Sequence, residues 1–264
     1  MFSRHVTRIL AIAATTVCTT TVASADGCGE TPITPNITLS SSLFNQFIIG
    51  GSDAIPYSWP WQASICEKTF FGQCVTNCAA TVIDSKWLVT LASCFAGNEN
   101  PSVFHVRVGN YYEDNDEPGE QLLALKNIIV HPQYEDGHWS NDIALIELLV
   151  PMTYNDRVQP VCLSSVEINS PTAVATGYGF KGISDDGTPI FSNILRQVVL
   201  PIVDPSQCSS AYPEFDPTKM YCAGTPETST AGGDDGGPLV EKATNGRWYQ
   251  HGITAEYSFY DDQP

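Results

Sequence analysis

Short apolar and β-branched runs recur between turn-forming residues from Ile48 onward. Runs of this length and composition are typical of β-strands. One helical turn is predicted over residues 204–211, where Asp204 and Pro205 form a cap and first-turn pair. Many strands without a long helical pattern predict an all-β barrel or sandwich. The predicted strands cover residues 61–66, 79–83, 87–92, 104–108, 127–130, 143–149, 173–177, 196–203, 221–223, 238–241 and 248–255.

The first 25 residues have the pattern of a leader. Arg4 and Arg8 precede an apolar stretch that starts at Ile9, and the small residues Ala-Ser-Ala end the segment. This pattern predicts a secretory signal peptide over residues 1–25, with cleavage after it. A membrane anchor is disfavoured, because threonines interrupt a stretch that is shorter than about 20 apolar residues. We therefore expect a secreted, extracellular protein.

Residues 26–47 form a segment rich in Pro, Thr, Ser and Asn. It contains the sequon Asn36-Ile37-Thr38, which marks a glycosylation acceptor in a secreted chain. We expect an exposed arm without a core of its own, glycosylated at Asn36.

The chain is acidic, with a net charge of −17 and a pI near 4.4. Phosphate binding needs clustered Lys and Arg, so this charge argues against nucleic acid and anionic membranes as partners. A basic partner stays open, although a solvated acidic surface is the simpler interpretation. We expect a monomer that binds proteins or peptides, without cofactor or metal.

The cysteines indicate disulfides. Nine are present, and removal of the leader takes Cys18 and leaves eight. An even set in a secreted chain is typical of a disulfide framework. Zinc binding is the competing interpretation, but Cys74 and Cys78 have no matching second pair of ligands.

Eight motifs follow one another along the chain: IIGG (48–51), SWPWQ (58–62), DSKWLVTLASC (84–94), IVHP (129–132), NDIAL (141–145), GYG (177–179), CAG (222–224) and GDDGGP (233–238). In this order they resemble the chymotrypsin/trypsin-like serine-protease family, peptidase S1. The resemblance implies two packed six-stranded antiparallel β-barrels over residues 48–264, with the active site in the crevice between them.

The family's disulfides also map onto this chain. The resemblance implies the pairs Cys28–Cys162, Cys78–Cys94 and Cys208–Cys222, and it leaves Cys66 to pair with Cys74. The sequence stops at Pro264, before the family's last barrel strand and C-terminal helix. We therefore expect an incomplete second barrel with an unpaired strand edge, from either a truncated isoform or an incomplete gene model.

The catalytic triad is the point at which this chain departs from the family. Asp142 matches the aspartate that orients the catalytic histidine, but Ser93 stands where the family has that histidine. Asp235 stands where the family has the nucleophilic serine. Ser93 cannot act as a base near neutral pH, so the resemblance implies a catalytically inactive homologue.

Other interpretations of these residues are open. The oxyanion hole would use the backbone N–H groups of Gly233 and Asp235, where the new carboxylate opposes an oxyanion. An aspartic dyad of Asp142 and Asp235, or a cation site that adds Ser93, is a competing interpretation. His138 is the one histidine near enough in sequence to Asp142 to replace the base, and we interpret it as a surface-loop residue.

The activation and specificity positions are altered as well. Asp234 matches the aspartate that pairs with the α-ammonium of Ile48 after cleavage, but Phe47 precedes Ile48 where trypsin-like activation needs Arg or Lys. We expect the chain to stay uncleaved at that bond. Ser229 matches the chymotrypsin-like specificity position, whereas Ala255 and Glu256 replace residues of the substrate-binding strand.

Residues 110–120 contain an acidic run where some trypsins bind calcium, but Asn110 replaces the first acidic ligand and a solvated loop is favoured. The sequence thus predicts a secreted homologue without peptidase activity that binds proteins. It would act as a decoy for protease inhibitors or as a regulator of active proteases. The alternatives are an active endopeptidase of chymotrypsin-like specificity and a truncated product without function.

Overall fold

A computed structural model describes residues 27–37, 51–68, 74–166, 168–184, 186–225 and 228–255, together with the backbone of residues 7–11. The regular structure in these ranges is nearly all β, with one short helix. The strands are β1 (Thr7–Ala11), β2 (Ser52–Asp53), β3 (Gln62–Lys68), β4 (Cys74–Asp84), β5 (Trp87–Thr90), β6 (Phe104–Val108), β7 (Gln121–Val130), β8 (Ala144–Leu148), β9 (Cys162–Leu163), β10 (Thr172–Gly177), β11 (Phe180–Ile183), β12 (Pro189–Phe191), β13 (Arg196–Val203), β14 (Met220–Ala223), β15 (Pro238–Lys242) and β16 (Trp248–Ala255). The helix is α1 (Pro205–Ala211), and single 3-10 turns span Ser93–Phe95 and Pro101–Val103.

The first barrel is closed in the order β3-β4-β5-β8-β7-β6, with antiparallel pairing between neighbours. Its interior is filled by aliphatic side chains such as Ile65, Val106 and Ile146, each fully buried. In β8 buried and partly exposed residues alternate, as expected for a strand with one face on a core. The predicted barrel is thereby confirmed for this half of the chain.

The second barrel has an unexpected member. The strands β14, β13, β10, β15 and β16 pair in that order, and β1 pairs with both β14 and β16 to complete a ring of six. The sequence predicted an unpaired edge here, and that expectation is wrong for the described residues. The backbone of Thr7–Ala11 supplies the N–H and C=O partners that the edges of β14 and β16 would otherwise lack.

Three tryptophans lie where the two barrels meet. The rings of Trp59 and Trp248 are 4.8 Å apart, and Trp61 lies 5.8 Å from Trp59. All three side chains are buried, and the edge-to-face geometry is one that aromatic pairs prefer. Trp59 Nε1 donates to Gln197 Oε1 of β13 at 2.8 Å, which satisfies its polar atom.

Other predicted elements agree with the structure. Asp204 caps α1 by accepting the Ser206 N–H at 2.9 Å, so the predicted helical turn is confirmed. The four disulfides Cys28–Cys162, Cys66–Cys74, Cys78–Cys94 and Cys208–Cys222 are all present. The sequence missed β1, β2, β9 and the β11–β12 hairpin.

The arm is docked on the body rather than fully exposed. The Gly29 N–H donates to the Pro160 carbonyl at 2.7 Å, and the Gly29 carbonyl accepts the Trp248 N–H at 3.0 Å. Cys28 is buried beside them. Asn36 itself is exposed, and its carbonyl accepts a hydrogen bond from Gln197 Nε2. The expectation of an exposed arm is therefore wrong for Cys28 and Gly29, which are buried, whereas Asn36 is exposed as expected.

Candidate functional site

The first part of the site joins the turn after β5 to the loop before β8. Ser93 begins a 3-10 turn, and Cys94 ties that turn to β4 through the disulfide with Cys78. The Ser93 backbone N–H donates to Asp142 Oδ1 at 2.7 Å, and the Ser93 hydroxyl also hydrogen-bonds this carboxylate. The structure thus brings together two of the three predicted triad positions. Ser93 supplies hydrogen-bond donors to the Asp142 carboxylate.

The Asp142 carboxylate is buried at 5% exposure. Burial raises its pKa above the ordinary range, while hydrogen bonds from Ser93 and Ala92 oppose the rise and Asp136 adds to it. Burial, Asp142 and Asp136 together raise the pKa of the neighbouring Tyr134 to about 12. Within the parts of the chain described, no Lys, Arg or His forms an ion pair with Asp142. The carboxylate is therefore held by peptide and hydroxyl donors alone, and none of them can accept a nucleophile's proton.

Asp235 lies on the turn that leads into β15. Its carbonyl accepts the Ala79 N–H of β4 at 2.7 Å, so this turn of the second barrel is fastened to the first barrel. Gly236 makes the approach possible, because a Cβ at that position would lie 2.2 Å from the Ala79 carbonyl oxygen. The Gly236 backbone also adopts a left-handed φ of 85°, which favours glycine. The Asp235 side chain is partly buried at this junction of the barrels.

Gly233 opens the same turn and is exposed, with a left-handed φ of 96°. A Cβ on Gly233 would contact Gly179 and the ring of Phe191 at 3.2 Å. The glycines of the GDDGGP motif therefore have backbone roles that are preserved in this chain. The use of the Gly233 and Asp235 N–H groups for an oxyanion stays a prediction.

Asp234 is the most buried carboxylate near the site. It is 1% exposed and accepts the Gly179 N–H at 2.8 Å and the Ala231 N–H at 2.9 Å. Burial raises its pKa to about 7; these two hydrogen bonds oppose the rise, Asp235 adds to it and Arg196 reduces it. The predicted partner, Ile48, lies outside the described residues, as does the Phe47–Ile48 bond. The Ile48–Asp234 ion pair therefore stays a prediction.

The predicted specificity position is buried where it is described. Ser229, Thr230 and Ala231 are all buried, with Ser229 at 2% exposure. The Ser229 hydroxyl has no hydrogen-bond partner among the described residues. Ala255 ends β16 and is partly buried, while Glu256 lies beyond the part of the chain that is described.

Sequence reasoning missed Arg196, which organises the segment that follows Ile48. Its guanidinium donates to Asp53 Oδ1 at 2.8 Å and to the Gly51 carbonyl at 3.2 Å. Arg196 is 8% exposed, and it starts a strand whose other residues are mostly apolar. A charged residue at the start of an apolar strand was the available signal, because a buried guanidinium needs an acceptor.

The glutamates of the acidic run accept hydrogen bonds from neighbouring residues of the fold, so the expectation of a solvated loop is wrong for them. Glu117 accepts the Tyr57 hydroxyl and the Tyr111 N–H, both at 2.5 Å, and the Tyr112 N–H at 2.6 Å. Burial alone would raise the pKa of Glu117, but these hydrogen bonds lower it. Glu113 accepts hydrogen bonds from Ser64 Oγ and Thr76 Oγ1.

No group of three or more His, Cys, Asp or Glu side chains in the described residues is arranged to hold a metal ion. His138 is exposed on a loop, and its backbone N–H donates to the Glu135 carbonyl at 3.0 Å. Across the described ranges, no helix is long and apolar enough to cross a membrane.

Comparison with known proteins agrees with this geometry. Residues 48–260 match the family model described as Trypsin. Over 240 residues the chain is 33% identical to "Clotting factor C" of Tachypleus tridentatus and 33% identical to "Limulus clotting factor C" of Carcinoscorpius rotundicauda. Each alignment covers 82% of this chain and 23% of the relative, so the chain spans about a quarter of the length of these relatives.

Proposed function

We propose that this chain, which belongs to the trypsin family of serine proteases, is a secreted homologue without peptidase activity. It would act by binding proteins. The observation that carries this proposal is the contact between Ser93 and Asp142. The Ser93 N–H lies 2.7 Å from the Asp142 carboxylate, at the position where the motif expects a histidine. The aspartate therefore has donors, but among the described residues it has no base to orient.

The chemistry of acyl transfer supports the inactive assignment. A serine nucleophile needs a nearby base that takes its proton, and loss of either group lowers kcat by about 10⁶ in a related catalytic constellation. Asp235 adds a further barrier, because a carboxylate about 4 Å from an oxyanion repels it by about 4 kcal/mol at an effective dielectric of 20. Both substitutions act on the same transition state, so one reversion alone does not restore the reaction.

The fold that remains is suited to binding. The glycines of the GDDGGP turn keep their close contacts with β4 and with Gly179, so the substitution of the nucleophile leaves the surrounding backbone in place. Protease inhibitors recognise the crevice between the two barrels of such proteases. For them the chain would act as a decoy. Active proteases are the second partner class, and for them the chain would act as a regulator.

An endopeptidase of chymotrypsin-like specificity is the second candidate, and membership of the trypsin family is the observation that favours it. Ser229 at the predicted specificity position would give it a preference for aromatic residues. The two candidates differ in turnover and agree in fold, so a kinetic assay separates them.

The proposal is tested with the secreted full chain and a chromogenic peptide that carries an aromatic residue before the scissile bond. Turnover is measured before and after treatment with immobilised chymotrypsin, with mass spectrometry to determine whether the bond after Phe47 is cut. We expect no turnover above the buffer rate in either state, while a macromolecular serine-protease inhibitor still binds the chain in a biosensor assay. Turnover that co-purifies with the chain and is lost in an Asp142→Ala variant would establish the second candidate instead.

A further inference from the structure

The hairpin β11–β12 carries an apolar face. It forms a two-stranded sheet of its own, and no other described strand pairs with it. Phe180 lies opposite Phe191, and Ile183 lies opposite Pro189. Residues two apart on a strand share a face with each other and with the residues directly opposite them. All four apolar side chains therefore lie on the same side of the hairpin, which we call the hairpin face.

Much of the hairpin face is in contact with solvent. Ile183 is 60% exposed, Phe191 is 55% exposed and Pro189 is exposed as well. An isolated two-stranded hairpin is only marginally stable in water, and a contiguous exposed apolar patch is typical of a site of interaction. Exposure of these side chains does not stabilise the chain, so the composition of the face points to a partner.

The hairpin is held in place beside the GDDGGP turn. The Phe180 N–H donates to the Gly232 carbonyl at 2.7 Å. The Phe191 ring lies against Gly233, since a Cβ on Gly233 would be 3.2 Å from two of its carbon atoms. One end of the hairpin face therefore lies next to the altered site, and backbone contacts hold it there.

The acidic run lies beside the base of the same hairpin. The Glu113 N–H donates to the Asn193 carbonyl at 2.9 Å, and the Asp114 N–H donates to Asn193 Oδ1 at 3.1 Å. Asp114 and Asp116 are exposed, and neither forms an ion pair within the described ranges. Asp186, in the connection between β11 and β12, is exposed too. Carboxylates therefore lie near both ends of the hairpin.

We propose that the hairpin face is a docking surface for a segment of a partner protein in which apolar side chains alternate with lysine or arginine. The proposal deepens the binding role proposed above and rests on it. Lys181 is the one basic residue in the sequence of the hairpin, and the whole chain carries a net charge of −17. This charge favours a basic partner and disfavours both a second copy of the chain and an anionic membrane.

The probe is the synthetic peptide Lys-Phe-Lys-Leu-Lys-Phe-Lys, which alternates basic and apolar side chains. Two control peptides separate these properties: Lys-Ser-Lys-Ser-Lys-Ser-Lys keeps the charge, and Glu-Phe-Glu-Leu-Glu-Phe-Glu keeps the apolar residues. Binding to the secreted full chain is measured by titration calorimetry at physiological ionic strength. We expect one-to-one binding of the probe and binding weaker by about tenfold or more for each control.

Ile183→Ser tests the apolar contact on the chain itself. The Ile183 side chain is 60% exposed, so its removal leaves the core of the protein unchanged. Val166→Ser is the matched control, because Val166 is 65% exposed and precedes β10, whereas the hairpin follows β10. We expect about fivefold weaker binding of the probe to Ile183→Ser and unchanged binding to Val166→Ser, with the Tm of both variants equal to that of the wild-type chain.

The double variant Asp114→Asn with Asp116→Asn tests the acidic residues. Glu99→Gln with Glu214→Gln is the matched control, since both residues are exposed and the change in net charge is the same. We expect about threefold weaker binding of the probe to the first double variant than to the second. The difference should disappear in about 1 M salt, because exposed charges are then screened.

Three results would overturn the proposal: no binding of the probe, equal binding of the serine control peptide, or probe binding that Ile183→Ser leaves unchanged. A concentration-dependent dimer that Ile183→Ser abolishes would also overturn it, since the occupant would then be a second copy. The macromolecular protease inhibitor is tested on the same preparation. Binding of the inhibitor without the probe would reject the docking surface alone, whereas loss of both would reject the proposed binding role as well.

Discussion

At the scale of single residues, the site is defined by how its carboxylates obtain hydrogen-bond donors. Asp142 uses Ser93 and Ala92, and Asp234 uses Gly179 and Ala231. Burial raises the pKa of both carboxylates. Among the described residues, neither has a cation in direct contact that would cancel this rise. Their protonation is therefore coupled to folding.

Replacement of Ser93 by alanine tests the first of these contacts. Ser93→Ala removes the hydroxyl donor and keeps the backbone N–H, so we expect a loss of about 1 kcal/mol in the free energy of unfolding at pH 7. Ser93→Thr keeps a hydroxyl and serves as the matched control in urea unfolding. Equal stabilities of the Ala and Thr variants would show that the hydroxyl does not support Asp142.

The buried Asp234 carboxylate predicts that the free energy of unfolding depends on pH. The pKa of Asp234 is about 7 in the uncleaved fold, against an ordinary value of 3.8. The folded state then binds more protons than the unfolded state between these values, so stability falls as pH rises from about 4 to about 7. At about 1.4 kcal/mol per pKa unit, the full effect is about 4 kcal/mol.

Asp234→Asn should remove this part of the pH dependence, because an amide does not titrate. The measurement is the free energy of unfolding at pH 4 to 8 for both proteins, with exposed Asp156→Asn as a control for a change in surface charge. If the wild-type chain and Asp234→Asn keep the same slope across this range, the assignment to Asp234 is wrong.

At the scale of elements, the arm and β13 are joined by one side chain. Gln197 is 4% exposed, accepts from Trp59 Nε1 and donates to the Asn36 carbonyl. It therefore connects the arm to the tryptophan cluster between the barrels. The disulfide Cys28–Cys162 holds the other end of the same segment.

Gln197→Ala should cost about 1–3 kcal/mol of stability, since it leaves the buried Trp59 N–H without its acceptor. Gln197→Glu is the matched variant, because it keeps an acceptor for Trp59 and loses the donor to Asn36. Urea unfolding gives the stabilities, and limited proteolysis of residues 30–50 gives the accessibility of the arm. We expect the Glu variant to release the arm and to lose at least as much stability as the Ala variant, because its ionised carboxylate is buried and faces the Asn36 carbonyl. Protection of the arm in both variants would contradict the role given to Gln197.

Local sequence patterns predicted most of the strands, because alternation and β-branched residues are local signals. The cap at Asp204 predicted α1 for the same reason. The position of β1 could not be predicted, since its pairing with β14 and β16 joins segments that are far apart in sequence and its apolar pattern is also that of a leader. The inward hydrogen bonds of Glu113 and Glu117 were missed because a run of acidic residues gives no indication of which side chains are buried.

At the scale of the whole molecule, the two barrels are joined by the tryptophan cluster and by the turn around Asp235. The Ala79–Asp235 hydrogen bond and the close approach of Gly236 bring the GDDGGP turn against β4. These contacts place the altered position Asp235 at the junction of the barrels, beside the strand whose disulfide holds the Ser93 turn. The scaffold of the trypsin family is retained, and we propose that its reactive side chains are replaced.

The most direct test of this account is covalent labelling of the secreted chain by a fluorophosphonate probe, which requires an activated serine. The chain is labelled before and after chymotrypsin treatment beside active trypsin, together with the variants Ser93→His, Asp235→Ser and the double variant. We predict no labelling of the wild-type chain or of either single variant, because nucleophile and base are both missing and each single change restores only one of them. Labelling of the wild-type chain at a mapped residue would contradict the account, since it would reveal a nucleophile that Ser93 and Asp235 do not explain.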